Sequence, residues 1–249
     1  MEDDYFGKTM KLFLIRHGES ENNALWANTQ SNVNRVSDPQ LTEIGKKQVE
    51  AAASFMETIL TSDAADKFDL SYKYEGEEIH INCSLMERAI QSGLIISNKL
   101  SLPLNAHLDI HENGGLYLED PLTTERTGEP GMTLKDLEAK YPDLILPEGV
   151  NPFGWWNRPF EERETRRIRA KRVLKNLKNQ YGNTNATLIF ISHGGFYNYL
   201  LRSIFELKDD TEIWFDLFNA AITLLEFSED FVKLVYCNRY DFIPREMVT

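Results

Sequence analysis

The stretch "MKLFLIRHGE" (10–19) sets an apolar run directly before an arginine, a histidine and a glycine. An unbroken apolar run is the pattern of a sheet strand covered on both faces, as in a parallel sheet flanked by helices. "ATLIFISHGG" (186–195) repeats the theme: an apolar run, then serine, histidine and paired glycines. Between the two, "EIHINCSL" (78–85) alternates as a strand does, and "LPLNAHLDI" (102–110) reads as a short strand.

Helical stretches separate these strands. In "LTEIGKKQVEAAASFMETIL" (41–60), Leu41, Ile44, Ala52, Phe55, Met56 and Ile59 fall near one face, with Thr42 placed to cap and Glu43 in the first turn. "RAIQSGLIISNKL" (88–100) and "GGFYNYLLRSIFEL" (194–207) read as helices, and "TLKDLEAKY" (133–141) opens with Thr133 and Asp136 at capping-box spacing. "EERETRRIRAKRVLKNLKNQYG" (161–182) carries Ala170, Val173, Leu174, Leu177 and Tyr181 on one stripe and stops at Gly182. Residues 219–228 and 230–238 form an antiparallel pair, and the polar stretch before 41 reads as a loop. The expected fold class is α/β: a three-layer α/β/α sandwich on a mostly parallel sheet, closed by an antiparallel edge strand. Residues 1–249 are expected to form one domain, with 113–160 an insertion or lid rich in glycine, proline and aromatics.

Of 249 residues, 42% are hydrophobic, ordinary for a globular chain with a sizeable core. The net charge of −12 excludes a general nucleic-acid or anionic-membrane binder, which needs a basic footprint. No apolar run approaches the roughly 20 residues that span a bilayer, and "MEDDYFGKTM" is acidic and unlike a targeting peptide, so a cytoplasmic location is expected. Cys83 and Cys237 lie in expected strands without metal-ligand spacing and read as buried free thiols; the sequon at Asn185 then carries no meaning.

In an open α/β sheet, ligands bind beyond the carboxyl ends of the strands, where helix N-termini direct unpaired N–H groups. Arg16, His17 and Gly18 leave the first strand there; Ser84 and Arg88 leave the second; His193, Gly194 and Gly195 leave the late one. Two arginines, two histidines and close-approach glycines suit a tetrahedral dianion. Guanidinium groups offer paired donors to phosphate oxygens, and a histidine beside them is disfavoured as imidazolium, keeping a lone pair for attack on phosphorus. A second histidine can donate to the phosphoryl oxygens as charge shifts.

"LIRHGESENN", "LTEIG", "CSLMERAIQS" and "ISHGG", in that order, resemble the histidine phosphatase superfamily, also called the phosphoglycerate mutase-like family. The resemblance implies that His17 becomes phosphorylated and that Arg16, Arg88 and His193 complete the phosphate pocket. It further implies that Asn23 touches the phosphate, that the Gly194 N–H contributes, and that Ser20 and Glu19 are substrate or supporting contacts. A carboxyl must protonate the leaving alkoxide and later activate water. In the family it lies after the next strand, here "LDIHENGGLYLED" (108–120), where Glu112 is the choice, Asp109 the runner-up, and Glu119 and Asp120 more distant.

Other groups invite simpler readings. His107 and His111 lie four apart but on an expected strand and loop, so no metal and no cofactor is expected, and His111 is left to line the pocket. His80 has no assigned role. "NPFGWWNRPFEER" (151–163) is either a loop pinned by its tryptophans or a lid whose Arg158 reaches a second anionic group; Arg126 is open to the same role. The expected function is phosphatase action on a phosphomonoester through a phosphohistidine on His17. Phosphoglycerate mutase-type transfer is the alternative, and a catalytically silent phosphate-binding protein the third reading. The partner is then a small phosphorylated substrate or a phosphoprotein, and the chain a monomer or a homodimer.

Overall fold

The computed structural model describes residues 8–61, 78–208 and 210–249. Its main sheet has seven strands: β1 (Met10–Arg16), β2 (Ile79–Ser84), β3 (Leu104–His107), β6 (Leu144–Ile145), β7 (Thr187–Ser192), β8 (Ile222–Phe227) and β9 (Val232–Arg239), in spatial order β6-β3-β2-β7-β1-β8-β9. A separate hairpin pairs β4 (Tyr117–Glu119) with β5 (Arg126–Gly128). β1, β2, β3, β6 and β7 pair in parallel, while β8 runs against both β1 and β9.

Alternate residues of β1 feed two apolar layers. Phe13 and Ile15 join one core with α2 (Glu43–Thr61) and α3 (Glu87–Leu100); Leu12 and Leu14 join the other with α5 (Arg163–Tyr181) and α6 (Gly194–Ile204). This two-sided burial is why the strand is apolar throughout, each fully buried aliphatic side chain contributing about 1.5–3 kcal/mol. The same pairing sets the carboxyl ends of three strands side by side: Arg16 stands opposite Ser192, and Cys83 opposite Ile191. β1, β7 and β2 thus empty onto one rim.

The expected strands and helices are present, with four differences. The polar stretch before 41 contains a helix, α1 (Glu21–Thr29), which buries no residue and so shows no apolar stripe. Ile44 is 42% exposed, because the buried stripe of α2 runs through Gly45, Gln48, Val49 and Ala52 instead. Cys83 is buried, but Cys237 is exposed: it lies on β9, the edge strand. The 113–160 stretch is partly regular, holding β4, β5, β6 and the helix α4 (Leu134–Lys140), whose start Thr133 caps by accepting from the Asp136 N–H.

Candidate active site

His17 follows β1 and is 3% exposed. Its Nδ1 lies 2.6 Å from the Gly18 carbonyl, which can only accept, so Nδ1 carries the proton and Nε2 the lone pair. Arg88, in the first turn of α3, donates its Nε–H to that Nε2 at 3.1 Å. Burial first, then the charges of Arg88 and Arg16, hold His17 well below the usual histidine range. It is a neutral, oriented base with its lone pair aimed at a guanidinium.

The loop carrying His17 is tied on both sides. The Gly18 N–H donates to Ser92 Oγ, and that hydroxyl donates to the Arg88 carbonyl, coupling the histidine to the helix that supplies Arg88. Glu19 accepts from the Thr42 hydroxyl at 2.7 Å and its N–H donates to Gln48, fixing the loop to the start of α2. Thr42 itself accepts from the Gly45 N–H, the cap expected of it.

Arg16 donates to the Leu217 carbonyl at 2.7 Å and leaves its buried Nε without an acceptor; burial lowers its pKa to about 10. His193 precedes α6, and its ring centroid lies 5.0 Å from that of His17. It is fully buried with neither ring nitrogen hydrogen-bonded, and burial, followed by Arg88, keeps it neutral. Unpaired buried ring nitrogens are costly unless a ligand completes them.

Glu112 reaches the same rim from the loop after β3. Its carboxylate accepts from the Asn113 and Phe196 N–H groups at 2.7 and 3.1 Å and from the Gly195 N–H at 3.2 Å, so it sits on the N-terminus of α6. A Cβ on Gly195 would lie 2.3 Å from its Oε1, which explains the second glycine of "HGG". Asp109 faces elsewhere, bound through both oxygens to Arg172. Glu119 pairs with Arg126, and Asp120 accepts backbone bonds within its own turn.

Ser20 and Asn23 form the capping box of α1: Asn23 N–H donates to Ser20 Oγ, and Ser20 N–H to Asn23 Oδ1. Asn219 joins them to the site by donating to both Asn23 Oδ1 and the His17 carbonyl. Gly194 opens α6, and a Cβ there would approach Arg16 Nε to 3.9 Å. His111 is buried, its Nδ1 bonded to the Glu112 carbonyl and its ring edge-on to Trp156 at 4.7 Å. Trp155 and Trp156 are both buried, which pins 151–163 to the fold.

Several structural partners escaped sequence reading. Asp38 accepts from the Glu87 N–H and lies 3.9 Å from Arg88; burial, opposed by Arg88, raises its pKa to about 6. Glu161 and Arg169 form a buried bidentate ion pair, with both bonds at 2.7 Å, and Arg169 also donates to the Asp109 and His111 carbonyls. That pair holds the Glu112 loop in place. Neither is visible as a motif, since each joins residues distant in sequence.

The family model for the histidine phosphatase superfamily, branch 1, matches residues 12–239. The chain belongs to that superfamily. Its fold is similar to that of a phosphoserine phosphatase from Entamoeba histolytica, at 19% identity and TM-score 0.56 over 94% of this chain and 100% of that one. A mycobacterial glucosyl-3-phosphoglycerate phosphatase matches at 15% identity and TM-score 0.55, covering 93% of this chain and 99% of its own. YhfR of Bacillus stearothermophilus matches at 16% identity and TM-score 0.58, covering 94% and 100%. No curated protein sequence matches. Among the described residues no helix is long and apolar enough to cross a membrane, and no cluster of metal-ligating side chains occurs.

Proposed function

We propose that this histidine phosphatase superfamily member hydrolyses a phosphomonoester through a phosphohistidine on His17. The observation that carries the reading is the setting of His17: its Nδ1–H donates to the Gly18 carbonyl, leaving the Nε2 lone pair to accept from Arg88 Nε–H, where a phosphoryl group would be held. Arg16 and Arg88 bind the dianion, and Arg88 transfers its hydrogen bond from Nε2 to a phosphate oxygen as substrate enters. Nε2 attacks phosphorus as the ester P–O bond breaks, and the departing alkoxide takes the proton of the Glu112 carboxyl. His193 donates one N–H to the equatorial oxygens, a partner that no described protein group supplies to its ring. Water then passes a proton to Glu112 and attacks phosphorus, the P–N bond breaks, and phosphate leaves with His17 neutral again.

The remaining roles follow from placement. Gly194, Ser20 and Asn23 are proposed substrate contacts at the rim, the last two held there by the capping box at the start of α1. Residues 113–160 roof the site and are the place to seek substrate selectivity, within what we take as a single domain. Rapid quenching with labelled aryl phosphate tests the reading: a base-stable, acid-labile phosphoprotein that His17→Ala lacks is expected, together with net release of inorganic phosphate. Conversion of 3-phosphoglycerate to 2-phosphoglycerate exceeding phosphate release would replace hydrolysis by mutase-type transfer. Retention of activity by His17→Ala would overturn the nucleophile.

A further inference from the structure

Beside the proposed phosphate pocket stands a guanidinium that no acid pairs with among the described residues. Arg35, on the connection between α1 and α2, is half-buried; its Nη1 donates to the Tyr117 hydroxyl at 3.1 Å and its guanidinium lies 4.5 Å over the Tyr117 ring. Its Nε is buried without an acceptor. Among the described residues, Asp38, the acid of its own loop, is turned to Arg88 and the Glu87 N–H, and no carboxylate pairs with Arg35. The charged neighbour it acts on is a cation: Arg35 and Tyr117 both bear on Arg88, Arg35 opposing its charge.

Acidic residues number 39 against 27 basic ones, so an arginine held near another arginine without a carboxylate partner among the described residues runs against the composition of the chain. Two other roof arginines are engaged. Arg126 pairs with Glu119 at 2.6 Å, and Arg158 stacks 4.2 Å over Trp156 on the side of Asp109 and Glu161.

We propose that Arg35 and the Tyr117 hydroxyl form a second anion subsite, which takes a carboxylate or a second phosphate on the molecule whose phosphomonoester binds Arg16 and Arg88. Tyr117 accepts from Arg35 and so keeps its own O–H to donate to the incoming group. Arg35 then presents Nε–H and its remaining donors in the fork that matches a planar or tetrahedral anion. The substrate class is a doubly anionic phosphate ester of short span, rather than a phosphorylated neutral alcohol. This inference rests on the phosphatase reading for its reaction, but its binding part is separable.

The test compares ligands that differ only in the second anion. Glycerol 3-phosphate and 3-phosphoglycerate differ by the carboxylate, and fructose 6-phosphate and fructose 1,6-bisphosphate by a phosphate. The wild type is expected to favour one doubly anionic member in kcat/KM, and the pair that shows it identifies the second group. Arg35→Gln should lower that preference by about tenfold to a hundredfold, the range for a lost charge-assisted hydrogen bond. Arg35→Lys should restore part of it, and Tyr117→Phe should reduce it several-fold, mainly through KM. Equal losses for both members of a pair would overturn the subsite, showing that Arg35 only supports Arg88. A wild type that releases phosphate from no ester would overturn the phosphatase reading instead. Calorimetric Kd values for the same ligands would then decide the subsite: a preference erased by Arg35→Gln supports it, and equal Kd values in the wild type refute it.

Discussion

His17 and His193 leave adjacent parallel strands, precede glycine, and are kept neutral by burial first and then by the charges of Arg88 and Arg16. Their rings are nonetheless held in opposite ways. His17 has both nitrogens engaged, by the Gly18 carbonyl and by Arg88, whereas His193 has neither. A nucleophile needs its lone pair aimed before substrate arrives, so preorganisation is built in. A group that stabilises charge in the transition state gains most if its donor is unspent until then. On the proposed mechanism, identical residues in matching positions thus divide the labour through their hydrogen bonds.

The largest expected effect tests this division directly. His17→Ala should lower kcat for an aryl phosphate by at least about a thousandfold, since the proposed phosphohistidine forms on its oriented Nε2, while His193→Ala should cost about 10²–10³. His193→Gln, which retains an N–H donor, should recover part of the loss; no recovery would mean that His193 does more than donate. Glu112→Gln should then slow alkyl phosphates by about 10²-fold and activated aryl phosphates far less, because only a poor leaving group needs the proton. A greater loss in Asp109→Asn would move the acid there, against its pairing with Arg172.

Two smaller effects concern what holds the histidines in place. Glu161→Gln leaves Arg169 charged and unpaired, and should destabilise by about 3–5 kcal/mol in urea denaturation. Asp38 gives a pH signature. Its pKa rises from 3.8 to about 6 on folding, so it favours the folded state below the lower value and loses that contribution as pH climbs through about 6. The stability of Asp38→Asn relative to wild type should therefore improve from pH 4 to 7, by at most about 3 kcal/mol. A relative stability of Asp38→Asn that falls as pH rises would show the Arg88 contact outweighing burial.

Much of this was legible in the sequence because burial on two faces writes itself as unbroken apolar runs, and β1 and β7 end in polar motifs only where the rim begins. Arg16, His17, Arg88, Glu112 and His193 converge there. What stayed illegible has physical reasons. α1 packs no apolar residue, so nothing periodic marked it or the capping box that Ser20 and Asn23 form at its start. Arg35, Asp38, Glu161 and Arg169 act through partners across the fold, which no local spacing encodes. Cys237 followed strand logic but lies on an edge, where a strand residue has solvent on one side.

The close approach between the loop after His17 and α2 has one more consequence. A Cβ on Gly18 would lie 2.3 Å from the Gly45 carbonyl oxygen, and one on Gly45 would lie 2.1 Å from that of Glu19. The two backbones lock like the teeth of a zip, and neither contact can widen without dragging His17 along. In a saturating mutational scan, Gly45 should therefore tolerate as few substitutions as the reacting residues do, although its side chain is a single hydrogen that never meets substrate.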